Sequence, residues 1–161
     1  MIYLDMDGPM ADFDKGFLDT FGVPCGDFEK NKKKMWQLVY DTPHFFANLP
    51  LSVGVMPLVD ACLKHGRTRI LTSIPWSNPF LVRDQKMLWR DKHFPNLELI
   101  VSMGGDKKPL YMQQKGDVLI DDWRKNTEAW EKHGGVAIKY ENHEQAIKEL
   151  NEHFTDLRRR A

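Results

Sequence analysis

Three carboxylates crowd the start of the chain: Asp5, Asp7 and Asp12 stand in the stretch MIYLDMDGPMADF, directly after the apolar run Ile2–Leu4. Residues two apart at a strand exit point the same way, so Asp5 and Asp7 repel each other unless a positive charge lies between them. The stretch is therefore either an acidic solvated loop or the seat of a cation. Three further groups bear on the choice. Thr72-Ser73 offers small hydroxyls and backbone amides suited to phosphate oxygens. Lys107-Lys108, after Gly104-Gly105, offers an ammonium, and Asp121-Asp122 offers more carboxylate. A hard divalent cation such as Mg²⁺ takes oxygen ligands and keeps several waters, so two or three carboxylates suffice. Phosphoryl transfer requires positioning and charge neutralisation above all, and this set supplies both.

The elements that would carry these groups alternate along the chain. Short apolar runs at Ile2–Leu4, Arg69–Leu71, Leu97–Val101, Asp117–Ile120 and Val136–Ile138 read as strands. Helical spacing marks Asp12–Phe21, Pro57–His65, Phe80–His93, Asn126–His133 and His143–Phe154, with Phe80, Met87, Leu88 and Phe94 as apolar positions of the third. Asp12 stands where the N-cap of its helix belongs. Gly22-Val-Pro-Cys-Gly26 ends the first helix, and Asp27–Tyr40 reads as another. This pattern predicts an α/β fold, a parallel sheet covered by helices on both faces. Ligands of such sheets sit at the carboxyl ends of the strands, which is where the acidic and hydroxyl groups fall. Residues 22–50 interrupt the alternation and read as a small cap inserted after the first strand. The whole chain, 1–161, otherwise reads as one domain.

DxDG after a first strand, then Thr-Ser, then Lys, then Asp-Asp after a later strand resembles the four-motif signature of the haloacid dehalogenase-like (HAD) phosphatases. Within that superfamily the chain resembles the 5'(3')-deoxyribonucleotidases. The likeness rests on Asp5–Phe13, Lys34–Trp36, His44–Phe46, Leu71–Pro75 and Gly116–Asp122. It implies a Rossmann-like HAD fold and a Mg²⁺-dependent phosphomonoesterase. Its substrates would be deoxyribonucleoside or ribonucleoside monophosphates, cleaved through an aspartyl-phosphate. By the resemblance Asp5 is the nucleophile, and Asp7 the acid and base that also offers its backbone carbonyl to the metal. Thr72 and Ser73 bind phosphate, and Lys107 or Lys108 neutralises charge, with Lys107 preferred. Asp121 and Asp122 complete the Mg²⁺ site, Asp122 as the direct ligand. Phe13, Trp36 and Tyr40 are the aromatic residues that face the base. Another small phosphomonoester, such as a sugar phosphate, is the alternative substrate; a catalytically silent nucleotide- or protein-binding domain is the alternative of another class. Three departures from the pattern are Pro9, just after DxDG, Trp123, just after the Asp pair, and the short chain, which implies a minimal cap and an open pocket.

Composition sets limits around this reading. Lys plus Arg and Asp plus Glu are 23 each in 161 residues, so no basic surface points to a nucleic-acid polymer. No apolar run approaches a membrane span, and no basic-then-apolar leader opens the chain; the expectation is a cytoplasmic monomer or homodimer acting on a small nucleotide. Cys25 and Cys62 are too few for a disulfide scaffold. The six histidines form no ligand spacing. Arg158–Arg160 reads as a solvated, frayed tail.

Overall fold

Five short apolar runs pair side by side to frame the molecule, a computed structural model that describes residues 1–160. Ile2–Leu4 (β1) lies at the centre. Thr68–Ile74 (β2) and Glu98–Met103 (β3) extend the sheet on one side, Val118–Asp121 (β4) and Val136–Lys139 (β5) on the other, all in parallel. Leu4 stands opposite both Ile70 and Ile120. Ile2, Tyr3 and Leu4 are buried without a polar break, as a central parallel strand covered on both faces requires. Helices Phe13–Phe21 (α1), Lys32–Asp41 (α2), Val55–His65 (α3), Pro79–His93 (α4), Arg124–Lys132 (α5) and His143–Arg160 (α6) supply the cover. One face holds the larger core; on the other, Tyr3, Leu71 and Leu119 pack on Trp130. This is the α/β, Rossmann-like architecture that the alternation of elements predicts.

The topology explains where a ligand can go. From β1 the chain moves outward through β2 and β3, then returns to place β4 on the other side of β1. The carboxyl ends of β1 and β4 therefore flank the switch point, where open α/β sheets form their crevice. Asp5 and Asp121-Asp122 emerge there.

Several boundaries differ from the sequence expectation. Thr72 and Ser73 lie inside β2, opposite Val101 and Ser102, because β2 and β3 continue past their apolar cores. The expected helix Asp27–Tyr40 divides into a 3₁₀ segment, Cys25–Asn31, and α2. The division falls at Asn31, whose side chain accepts the Lys34 N–H and caps α2. Phe80, Met87 and Leu88 face outward; α4 buries Val82, Gln85, Lys86 and Trp89 instead. Arg158–Arg160 are exposed but helical, the last turn of α6, with Arg159 near Asp156.

Between α1 and α3, residues 22–50 contribute the 3₁₀ segment, α2 and a short 3₁₀ turn, Phe46–Asn48, but no strand. Phe28, Phe45 and Phe46 from this segment close with Phe13, Phe17 and Phe21 of α1 into one aromatic cluster, with centroids 4.5–6.5 Å apart. The spacing of Phe13, Phe17 and Phe21 makes this contact: one face of α1 is a phenylalanine stripe.

Candidate active site

The carboxyl end of β1 sets the first side chain. The backbone ladder runs one residue beyond the strand, with the Asp5 N–H donating to the Ile120 carbonyl (2.9 Å), so Asp5 is fixed as firmly as the sheet. Its Oδ1 accepts from the Met6 N–H (2.8 Å) and from Lys108 Nζ (2.9 Å); Oδ2 accepts no hydrogen bond among the described residues. Asp5 is thus a buried carboxylate with one oxygen held and one uncommitted.

Of Lys107 and Lys108, it is Lys108 that meets the buried carboxylates. The two lysines sit on a 3₁₀ turn, Gly105–Tyr111, where residues three apart share a side. Gly105 lines the crevice and Lys108 follows it inward, fully buried, whereas Lys107 projects into solvent and pairs with Asp106 (2.9 Å). The sequence preference is for Lys107; it is Lys108 that the fold turns toward the carboxylates. Lys108 also contacts Asp121 Oδ2 (2.5 Å). Burial pulls its ammonium toward neutrality, but Asp5 and Asp121 outweigh that and raise its pKa. One ammonium between two buried carboxylates neutralises only one of them. Burial, with Asp121 and Asp7 adding to it against Lys108, pushes Asp5 up to about 8.

The two residues of the Asp pair differ in kind. Asp121 is fully buried and surrounded by donors: Lys108, the Trp123 N–H (2.8 Å) and Asn126 Nδ2 (3.0 and 3.1 Å). Asp122 is exposed in the mouth of the crevice, crowded by protein on its other sides. Burial there, then Asp121 and Asp7, pushes it up to about 6. The loop Asp7–Ala11 turns beneath it at Gly8 (φ +94°), where an added Cβ would stand 2.6 Å from Asp122 Oδ2. Glycine is needed here for both the backbone and the space. Carboxylate oxygens of Asp5, Asp121 and Asp122 come within 4.8 Å of one another. Around them four carboxylates (Asp5, Asp7, Asp121, Asp122) face two ammonium groups (Lys86, Lys108), an excess of two negative charges when all four are ionised, which is the state that the raised Asp5 and Asp122 resist without a cation. A divalent cation with oxygen ligands fits that donor set.

Sequence reasoning missed Lys86 and Asn126. Lys86 reaches the site from α4 and donates to Asp7 Oδ2 (2.6 Å), Thr72 Oγ1 (2.6 Å) and the Ser73 carbonyl (3.0 Å). The available signal was its place on the α4 stripe between Val82 and Trp89, seven residues apart.

A cavity of about 600 Å³ opens above these groups. Asp5, Asp7, Ser73, Asp122 and Asn126 form one end, and Phe13, Met35 and Trp36 wall the other, with Asp14, Cys25 and Lys32 at its rim. Thr72 and Asp121 lie behind the lining. Trp123, 60% exposed, borders the mouth. Tyr40 does not reach this cavity: it stacks behind Trp36 (5.8 Å, 20°) and lines a neighbouring hollow with Lys33 and Asn78, because it sits one turn beyond Trp36 on α2. Asp12 borders the cavity and caps α1, accepting the Lys15 N–H (2.9 Å).

A family model described as 5' nucleotidase, deoxy (Pyrimidine), cytosolic type C matches residues 23–161. The chain belongs to this family. The 5' nucleotidases of this type are hydrolases of nucleoside monophosphates, and this member is an enzyme of that class with a small-molecule nucleotide as substrate. The matched span includes Trp36, Thr72, Lys108 and the Asp pair; the Asp5–Asp12 loop precedes it. No curated protein matches the chain. Among the described residues of this nucleotidase no helix is long and apolar enough to cross a membrane.

Proposed function

We propose that this 5' nucleotidase is Mg²⁺-dependent and hydrolyses deoxyribonucleoside monophosphates to nucleoside and phosphate through an aspartyl-phosphate on Asp5. One observation carries the reading. A buried carboxylate with a free oxygen stands beside a buried lysine at one end of a cavity whose other end is aromatic. Asp5 Oδ2 attacks phosphorus, the bond to the nucleoside oxygen breaks, and Asp7 gives that oxygen its proton. Water then attacks the phosphorus of the aspartyl-phosphate and Asp7 takes its proton. The Asp5–phosphorus bond breaks, and inorganic phosphate leaves. Thr72, the Ser73 backbone and Lys108 receive the phosphoryl oxygens and their charge.

Asp5, Asp122 and the Asp7 backbone carbonyl would hold Mg²⁺, with Asp121 supporting them through Lys108 and Asn126. Bound there, the ion supplies charge neutralisation for the phosphoryl group. Residues 22–50 act as the cap. Phe13 and Trp36 form the stacking wall for the base, and Tyr40 backs Trp36 instead of touching substrate. Stacking on a base contributes about 1–3 kcal/mol, which favours nucleotides over smaller esters.

Phosphate release from a panel of deoxyribonucleotides, ribonucleotides and sugar phosphates, with Mg²⁺ and with chelator, tests this reading. Turnover of the deoxyribonucleotides that stops with chelator is expected. Turnover of sugar phosphates alone would overturn the nucleotide assignment.

A further inference from the structure

Lys86 is a lysine with every donor used. An ammonium has three N–H groups and no acceptor; here they go to Asp7 Oδ2, Thr72 Oγ1 and the Ser73 carbonyl. The side chain is 1% exposed, and the Phe46 ring lies 5.3 Å from its Nζ. α4 is also tied to this turn through Gln85, which accepts the Phe46 N–H (2.9 Å). The ammonium cannot wander, and no free donor remains on it for a substrate.

Its saturation determines what its neighbours can do. In the bond to Thr72 the lysine donates, so the threonine hydroxyl accepts and its own proton must point elsewhere. No acceptor takes that proton among the described residues. Two further polar atoms nearby, Asp7 Oδ1 and Ser73 Oγ, are buried and have no partner. Buried polar groups are normally satisfied, so two unpartnered atoms and one unused hydroxyl proton on the three residues that this saturated lysine holds mark a place kept for reacting groups.

We propose that Lys86 is a positioning residue for phosphoryl transfer. It holds Asp7 by Oδ2, which leaves Oδ1 as the oxygen that exchanges a proton with the leaving group and with water. It also holds Thr72 with its O–H available to a phosphate oxygen. Without Lys86 neither Asp7 Oδ2 nor Thr72 Oγ1 keeps the donor that fixes it, so the acid and a phosphate donor lose their orientation together. This inference rests on the assignment of Asp7 as acid and base made above.

Leaving-group dependence tests it. Protonation of the leaving oxygen matters for a nucleoside and little for p-nitrophenolate, which departs without a proton, and kcat/KM reports the steps up to that departure. General acid catalysis contributes about 10²–10⁴-fold. Lys86→Met should therefore lower kcat/KM for a deoxyribonucleoside monophosphate about 100-fold, and for p-nitrophenyl phosphate less than about 10-fold. In an Asp7→Asn background, where both charges are gone and the fold is spared an unpaired carboxylate, adding Lys86→Met should change either rate little, since coupled residues are not additive. Lys86→Gln, which keeps an N–H donor, should recover part of the nucleotide activity. Equal losses on both substrates, or losses that multiply in the Asp7→Asn background, overturn the proposal. Asp7→Asn alone separates the two readings. If it retains nucleotide turnover, the role of Asp7 fails and that of Lys86 with it. If it loses turnover while Lys86→Met affects both substrates alike, only the role of Lys86 falls.

Discussion

Replacing Lys108 by Met removes a fully buried cation from between the site's two buried carboxylates. Its Nζ lies 2.9 Å from Asp5 and 2.5 Å from Asp121, with no exposed surface on the lysine. Breaking a buried ion pair from one side costs about 3–5 kcal/mol, because the remaining charge is stranded. In a chain of this size each kcal/mol moves the melting temperature by roughly 2–4 °C. Together these predict a fall of about 6–20 °C for Lys108→Met without added cation. Lys107→Met, by contrast, removes a half-exposed pair with Asp106, worth about 0–1 kcal/mol. Thermal and urea unfolding followed by circular dichroism compares the two variants directly. Phosphate release adds the functional side: Lys108→Met should lower kcat about 10²–10³-fold, the usual cost of one charge-stabilising donor, and Lys107→Met should leave it near the parent value. If Lys107→Met is the damaging change, or if Lys108→Met is as stable as the parent, the electrostatic account of the site is wrong.

Trp36→Ala should reduce kcat/KM for nucleoside monophosphates by about 5–150-fold, the equivalent of 1–3 kcal/mol of stacking, and leave a small alkyl phosphate nearly unaffected; Tyr40→Phe should change neither. Gly8→Ala forces a Cβ to within 2.6 Å of Asp122 Oδ2 at a φ of +94°, so isothermal titration should show weakened Mg²⁺ binding and unfolding should show a loss of about 1–3 kcal/mol. Stability without metal should depend on pH in a defined direction. Asp5 and Asp122 have folded values of about 8 and about 6 against an ordinary 3.8, so the folded state binds more protons than the unfolded one. Their contribution is complete below pH 3.8 and is lost as pH rises through 6 and 8. Urea midpoints measured with chelator should fall along that course, and Mg²⁺ should flatten the upper part.

Much of this arrangement was legible in the sequence, for identifiable reasons. β1 and the first three residues of β4 are short apolar runs that lead straight into carboxylates, so both their placement and what they deliver could be read from residue type. The α4 face could not. Its most apolar residues, Phe80, Met87 and Leu88, are exposed, and its buried stripe includes Gln85 and Lys86. Hydrophobicity weighs a lysine against burial, yet this one is offset by three acceptors that belong to β2 and the Asp7 loop, far away in sequence. The choice between Lys107 and Lys108 depended on the phase of a single 3₁₀ turn, and adjacent identical residues carry no pattern that fixes phase. Asp121 and Asp122 posed the same difficulty: only the end of β4 decides that the first is buried and the second exposed. Trp36 and Tyr40 occupy adjacent turns of α2 and share a helix face, but the cavity ends at the first of them.

The central claim is that Asp5 carries the phosphoryl group between substrate and water. Asp7→Asn should slow hydrolysis of that intermediate enough for it to accumulate when the protein is mixed with an activated phosphoester and Mg²⁺ and quenched in acid. Peptide mass spectrometry should then find an alkali-labile phosphate on Asp5, absent from Asp5→Asn. Continued turnover by Asp5→Asn, or a phosphate found on any other residue, would contradict the account.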